Sequence, residues 1–146
     1  MKENSGNEYV GKKHKIEKAD DIRHFILAGH AIFTIESTRT GAWYTYKVNV
    51  SKKDNNLYFV NVLTGDDQYI YMGMIKNGVL SLTKASKFTN ESTCFKAFNF
   101  YFRNIIANII HPEINFYHLG ICGRCGRPLT TPDSINRGIG PVCSML

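Results

Sequence analysis

The sequence predicts an α+β fold, an antiparallel meander sheet of about five strands packed against one long helix and one short one. Three observations carry that expectation. β-branched and aromatic residues alternate from Ile32 to Leu82, apolar residues recur at helical spacing from Ser92 to Ile110, and the turn signals between the alternating runs are short. Short connections make neighbours of consecutive strands, which is what a meander requires.

Residues 1–18 hold Lys2, Lys12, Lys13, Lys15 and Lys18 against Glu3, Glu8 and Glu17, with almost nothing apolar, and read as a flexible basic segment. A basic arm is the functional reading of these lysines, and a solvated terminus is the preferred one. Ile22, Phe25 and Ile26 then recur at helical spacing behind Asp20 or Asp21 as N-cap, with Gly29 as the stop. Alternating runs follow: Ile32, Thr34 and Glu36, then Trp43 to Val50, Leu57 to Val62, Tyr69 to Ile75 and Val79 to Leu82. Asn77 and Gly78 suit a tight hairpin, whose two central residues need positive φ.

Ser92 to Ile110 reads as the main helix, with Phe95, Phe98, Phe102, Ile105, Ile106 and Ile109 on one stripe that should cover the sheet. Pro112 ends it by pushing the preceding residue out of the α region. Phe100 projects from the side shared by Lys96 and Asn104, where an aromatic lies under a loop or is offered to a partner. The plan is one compact unit: a flexible basic segment (1–18), an α+β body (19–112) and a terminal segment packed on it (113–146).

At 146 residues, 43% apolar and 21% charged, the composition is that of one globular domain rather than a disordered chain. No apolar run approaches the roughly 18 residues of a membrane span, and the N-terminus is polar, so a soluble cytoplasmic protein with no membrane partner is expected. The net charge of +6 favours anionic partners and disfavours mimicry of nucleic acid.

Chemistry concentrates in the terminal segment. Cys122 and Cys125 are two apart, Cys143 returns after a seventeen-residue excursion with a helical turn begun at Pro132, Asp133 and Ser134, and His118 stands four residues before Cys122. Two cysteines at this spacing turn both sulfurs to one ion only if the chain folds back tightly, which Gly123 and Gly126 permit. Such a knuckle needs two more donors to close a tetrahedron, and His118 with Cys143 would supply them to one structural Zn²⁺. Three thiolates with one Zn²⁺ would bring the net charge to about +5. His111 is the alternative fourth ligand, and Cys94, in the helical stretch, reads as a buried small hydrophobe.

A catalytic zinc keeps an open position and a nearby proton shuttle. Here four ligands are at hand, and the segment's acid, Asp133, is placed to cap a helix, so the site reads as closed. The HxE and PCxxC deaminase signature is absent, as are GxGxxG, P-loop, GxSxG and HExxH motifs. His24 and His30 flank Gly29 without a partner carboxylate or nucleophile at a meaningful spacing. The expectation is therefore a non-enzyme with no small-molecule substrate.

The tail CGRCGRPLTTPDSINRGIGPVC, preceded by His118, resembles the C-terminal motif of a family of small bacteriophage and prophage proteins. The upstream features of that family also recur: Thr45 to Val48, Val62 to Gly65, Tyr71 to Gly73 and a Phe-rich helix, so the resemblance covers about residues 30 to 143. The chain is similar, too, to the zinc-containing type II-A anti-CRISPR proteins, which bind and inhibit a Cas9-type RNA-guided nuclease. This resemblance implies a viral inhibitor in the cytoplasm of a bacterial host, with His118, Cys122, Cys125 and Cys143 aligned on metal ligands. It transfers no catalytic residue and no contact surface. Ile121 stands where the family often has a basic residue, which weakens any grip of the knuckle on phosphate.

Two functional expectations follow. In the first, a rigid zinc-locked body docks on the nuclease and obstructs target DNA loading or conformational activation. In the second, Arg124, Arg127 and Arg137 around the knuckle, with Lys12 to Lys18, bind nucleic-acid phosphates. Aromatics interleaved with those arginines are missing, and a solvated tail whose arginines pair with Asp133 and backbone carbonyls is the preferred account of them.

Overall fold

The structure, a computed structural model of the chain, describes residues 14–65 and 67–140; Lys12 and Cys143 lie outside the described residues. The elements run β1 (His14–Lys15), α1 (Ala19–Ile26), β2 (His30–Ser37), β3 (Trp43–Val50), β4 (Leu57–Leu63), β5 (Tyr69–Lys76), β6 (Val79–Ser81), α2 (Thr93–Ile106), β7 (Ile114–His118) and α3 (Pro132–Arg137). The fold is α+β, as expected. Strands β2 to β6 form the expected meander, and every pairing in the sheet is antiparallel.

The strand count is a correction: seven strands among the described residues, in the order β1-β7-β2-β3-β4-β5-β6, rather than about five. β7 comes from the terminal segment and inserts between β1 and β2, pairing Phe33 with His118 and Ile35 with Phe116. The terminal segment is thus woven into the sheet. β1 closes the edge, and the Ile16 N–H donates to the Phe116 carbonyl at 3.1 Å with Ile16 buried, so residues 14–16 of the expected flexible segment are packed.

Alternation sends Ala31, Phe33 and Ile35 to one face with their register partners Val48, Tyr46 and Tyr44, and α1 and α2 cover that face. Phe33 stacks on Phe116 at 4.9 Å and Tyr46 on Phe98 at 4.8 Å between ring centroids. Burying such rings stabilises the fold by about 1.5–3 kcal/mol each. The buried Tyr46 hydroxyl is satisfied by donating to the Cys94 carbonyl at 2.8 Å. Cys94 is core, as expected, and burial pushes its thiol up.

Three local expectations are corrected. Asp20 and Asp21 lie in the first turn of α1, where their charge is favoured by the positive end of the helix dipole; Lys18 is the N-cap residue and Leu27 the C-cap. Helix α2 stops at Ile106 rather than Ile110, because Asn108 turns into the left-handed region at φ 64°. The predicted stripe therefore loses its last members: Ile105 is buried, but Ile106 and Ile109 are exposed. The expected hairpin at Asn77 and Gly78 is present, with φ 54° and 78°. No helix among the described residues is long and apolar enough to cross a membrane.

Candidate metal centre

The segment after β7 folds back on itself at once. The Leu129 N–H donates to the Gly120 carbonyl at 2.8 Å, Cys122 N–H to Arg127 at 2.8 Å, and Gly126 N–H to Cys122 at 3.0 Å. Gly126 sits at φ 79°, which closes the turn without a Cβ clash. This narrow hairpin brings Cys122 and Cys125 together.

Cys122 is buried and Cys125 exposed. The Cys122 sulfur accepts from three backbone amides: Arg124 at 3.4 Å, Cys125 at 3.5 Å and Gly140 at 3.4 Å. Burial acts to raise the Cys122 thiol, but those N–H groups and the Cys125 thiol outweigh it and bring it down to about 7. Three donors converging on one sulfur favour the thiolate, the form that binds metal.

The hairpin is seated on the body by backbone contacts. The Gly123 carbonyl accepts from His30 N–H at 2.7 Å, and Gly123 N–H donates to Gly138 at 2.9 Å. A side chain at Gly123 would run into the Phe25 ring, as would one at Gly138. Helix α3 returns the chain: Thr131 caps it by accepting from Ser134 N–H at 3.3 Å, and Gly138 ends it at φ 75°. The expected helical turn at Pro132, Asp133 and Ser134 is therefore real, although Thr131 rather than Asp133 is the cap.

His118 ends β7 fully buried, against Phe25 and His14 at ring-centroid distances of 5.5 and 5.3 Å. Its Nδ1 accepts from Gly120 N–H at 2.9 Å, so Nε2 carries the proton and donates to the Ile135 carbonyl at 2.6 Å. Burial lowers its pKa; the Ile135 carbonyl acts in the opposite sense and His14 in the same one, leaving the ring neutral. A ligating histidine commonly donates its other N–H to a carbonyl in this way. The Nδ1 lone pair, however, is occupied by Gly120, and among the described residues no three His, Cys, Asp or Glu side chains are gathered to hold a metal.

Residues 115–144 match DUF6011, a family of unknown function. The match covers about a fifth of the chain, from β7 through the last cysteine. No curated protein and no solved structure matches the chain.

The remaining candidates are placed elsewhere. His111 accepts from Glu113 N–H at 3.1 Å and packs edge-on against Phe100 at 5.5 Å, so it is engaged there rather than with the knuckle. Arg124 and Arg127 are exposed on the hairpin. Arg137 faces Asp133 at 3.9 Å and lines a cleft with Lys15, Glu17, Asp20 and Asp21, a mixed-charge setting rather than a phosphate cradle. His24 and His30 are both exposed, and it is the backbone of His30 that serves the knuckle. Sequence reasoning missed the third amide on Cys122. No side-chain pattern marks that contact, because a Cβ at Gly140 would meet nothing nearer than Leu129 Cδ2 at 3.9 Å.

Proposed function

We propose that this chain is a non-enzymatic binding protein whose terminal segment is clamped by one structural Zn²⁺ on His118, Cys122, Cys125 and Cys143. The observation that carries this reading is the cage of three amides on the Cys122 sulfur beside the Cys125 thiol. Gly140 touches that sulfur, and Cys143 is three residues on, a span of at most about 10 Å. For His118 to hold the ion, Nδ1 would have to give up the Gly120 N–H it now accepts. That loses a hydrogen bond worth about 1 kcal/mol against a metal contribution on the order of 10 kcal/mol, so the exchange is favoured. The Ile135 carbonyl already holds the tautomer that leaves Nδ1 free of a proton. Bound zinc would supply a closed tetrahedral S₃N node, and with four protein ligands no position is left for a reacting water.

The partner we propose is a Cas9-type RNA-guided nuclease, inhibited by direct binding that obstructs DNA loading or conformational activation. Support comes from the resemblance of the tail to phage proteins and from the basic charge, which suits an acidic protein surface. Nucleic-acid binding through the knuckle is less well supported, because Arg137 is matched by Asp133. The test is capture of a purified guide-loaded nuclease with a cleavage assay, using the wild type and Cys122→Ser. Association and inhibition that both fall with Cys122→Ser are expected. A folded, zinc-loaded protein that binds no Cas9-type nuclease overturns the partner while leaving the clamp standing.

A further inference from the structure

We propose that the outer face of α2 and the turn after it form a docking surface for an acidic, amphipathic protein segment. This goes beyond the metal clamp and depends on neither the metal nor the nuclease.

Five of the six large apolar residues exposed among the described residues belong to α2, the turn after it or the β5–β6 hairpin: Val79, Phe100, Ile106, Ile109 and Ile110, the sixth being Phe59 on β4. Phe100 is 51% and Ile109 50% exposed, well beyond what a covered stripe would show. The cause is local. Asn108 leaves the helix through the left-handed region, and Ile109 N–H turns back to the Asn104 carbonyl at 2.8 Å, which brings Ile109 and Ile110 out of the sheet-facing stripe. The β5–β6 hairpin borders the same patch, since a methyl at Gly78 would stand 3.8 Å from Ile106 Cδ1. The His111 ring props Phe100 from one edge. Phe100, Arg103 and Ile106 follow one another three apart along the helix surface, and exposed apolar residues grouped in this way mark an interaction site.

Charge selects the occupant. A groove of about 500 Å³ runs along α2 over Phe95 and beside Phe100, lined by Lys96, Asn99 and Arg103 and by no carboxylate. Arg103 makes no ion pair among the described residues, while Lys96 reaches out to Glu91 at 3.1 Å. Apolar side chains beside a guanidinium that has no ion pair among the described residues fit a segment with leucine-type residues on one side and carboxylates next to them. A second copy of this chain would bring cation to cation on a protein of charge +6. Single-stranded nucleic acid would want several stacking rings, and here one ring stands among aliphatic side chains.

The experiment is a titration of the full-length, isotope-labelled chain with a synthetic helical peptide bearing Leu at i, i+3 and i+7 and Glu elsewhere. The same peptide with Lys for Glu, and an oligothymidylate, serve as competing probes. Saturable shifts centred on Phe100, Arg103, Ile106 and Ile109 are expected, weakened by salt. Phe100→Ser and Arg103→Glu should each weaken binding by at least about tenfold, and Phe59→Ser should leave it unchanged. All three positions are exposed, so unchanged melting temperatures confirm intact folds. No saturable binding of the acidic peptide, equal binding of the basic one, tighter binding of the oligonucleotide at this face, or self-association through it would each overturn the proposal.

Discussion

Replacing Gly138 by alanine tests how the knuckle is seated on the body. Gly138 holds φ 75° at the end of α3, and a Cβ there would press on Phe25 and come within 3.1 Å of Ile16 Cδ1. A left-handed non-glycine residue costs about 1–2 kcal/mol, and overpacking a filled site costs about 1–3 kcal/mol more. The expected loss is therefore about 2–5 kcal/mol. At about 3 °C per kcal/mol for a chain of this size, Tm should fall by about 6–15 °C. Gly126→Ala is the matched control, because Gly126 has φ 79° but nothing within 4 Å of its Cβ position. It should show the conformational cost alone, about 1–2 kcal/mol and about 3–6 °C. The assay is thermal unfolding of both variants in the same metal-loaded buffer, with Phe25→Leu added to Gly138→Ala as a double-mutant cycle. Shrinking the ring should return part of the steric term, a non-additivity beyond about 0.5 kcal/mol. Equal losses in the two glycine variants, or strict additivity with Phe25→Leu, would refute the reasoning that Phe25 supports the knuckle.

Two further outcomes follow. Burial raises the pKa of Tyr46 and of Tyr101, so the folded state favours their neutral form. The stability this represents is complete below the unfolded value of about 10 and is lost as pH climbs above it. In an alkaline titration their phenolate absorbance should appear together with the loss of near-UV dichroism; ionisation of all eight tyrosines before unfolding would contradict it. His118→Ala leaves the Gly120 N–H and the Ile135 carbonyl unpaired, at about 1–3 kcal/mol each where no water reaches them, so the metal-free protein should lose about 2–6 kcal/mol in urea unfolding. Zinc affinity in competition with a chromophoric chelator should fall as well; lost stability with unchanged affinity would restrict His118 to holding α3 against β7.

The meander was legible because each of its strands carries its own signal. Side chains alternate from β2 through β5, and Asn77-Gly78 can only be a tight turn. β1 was hidden because His14 and Lys15 are polar and join the sheet through backbone pairing with Tyr117 and His118. β7 did have a signal, Ile114, Phe116 and His118 at alternate positions, but a reading fixed on metal ligands treats His118 as the start of a knuckle rather than the end of a strand. The early end of α2 rests on Asn108, one of the few non-glycine residues that tolerates positive φ, set among isoleucines that extend the helical pattern past it. The hairpin that brings Cys122 and Cys125 together was legible in its cysteines and glycines. Its backbone support was not, since the amide of Gly140 and the carbonyl of Gly123 are contacts that no residue pattern encodes.

Zinc content tests the account most directly, by native mass spectrometry of the folded chain before and after a chelator. The account predicts one zinc per chain, lost in Cys122→Ser, with chelation unfolding the segment from Gly120 to Gly140 while the sheet persists. A folded wild-type chain that carries no zinc after zinc loading, and whose hydrogen exchange around Cys122 is indifferent to the chelator, would contradict it.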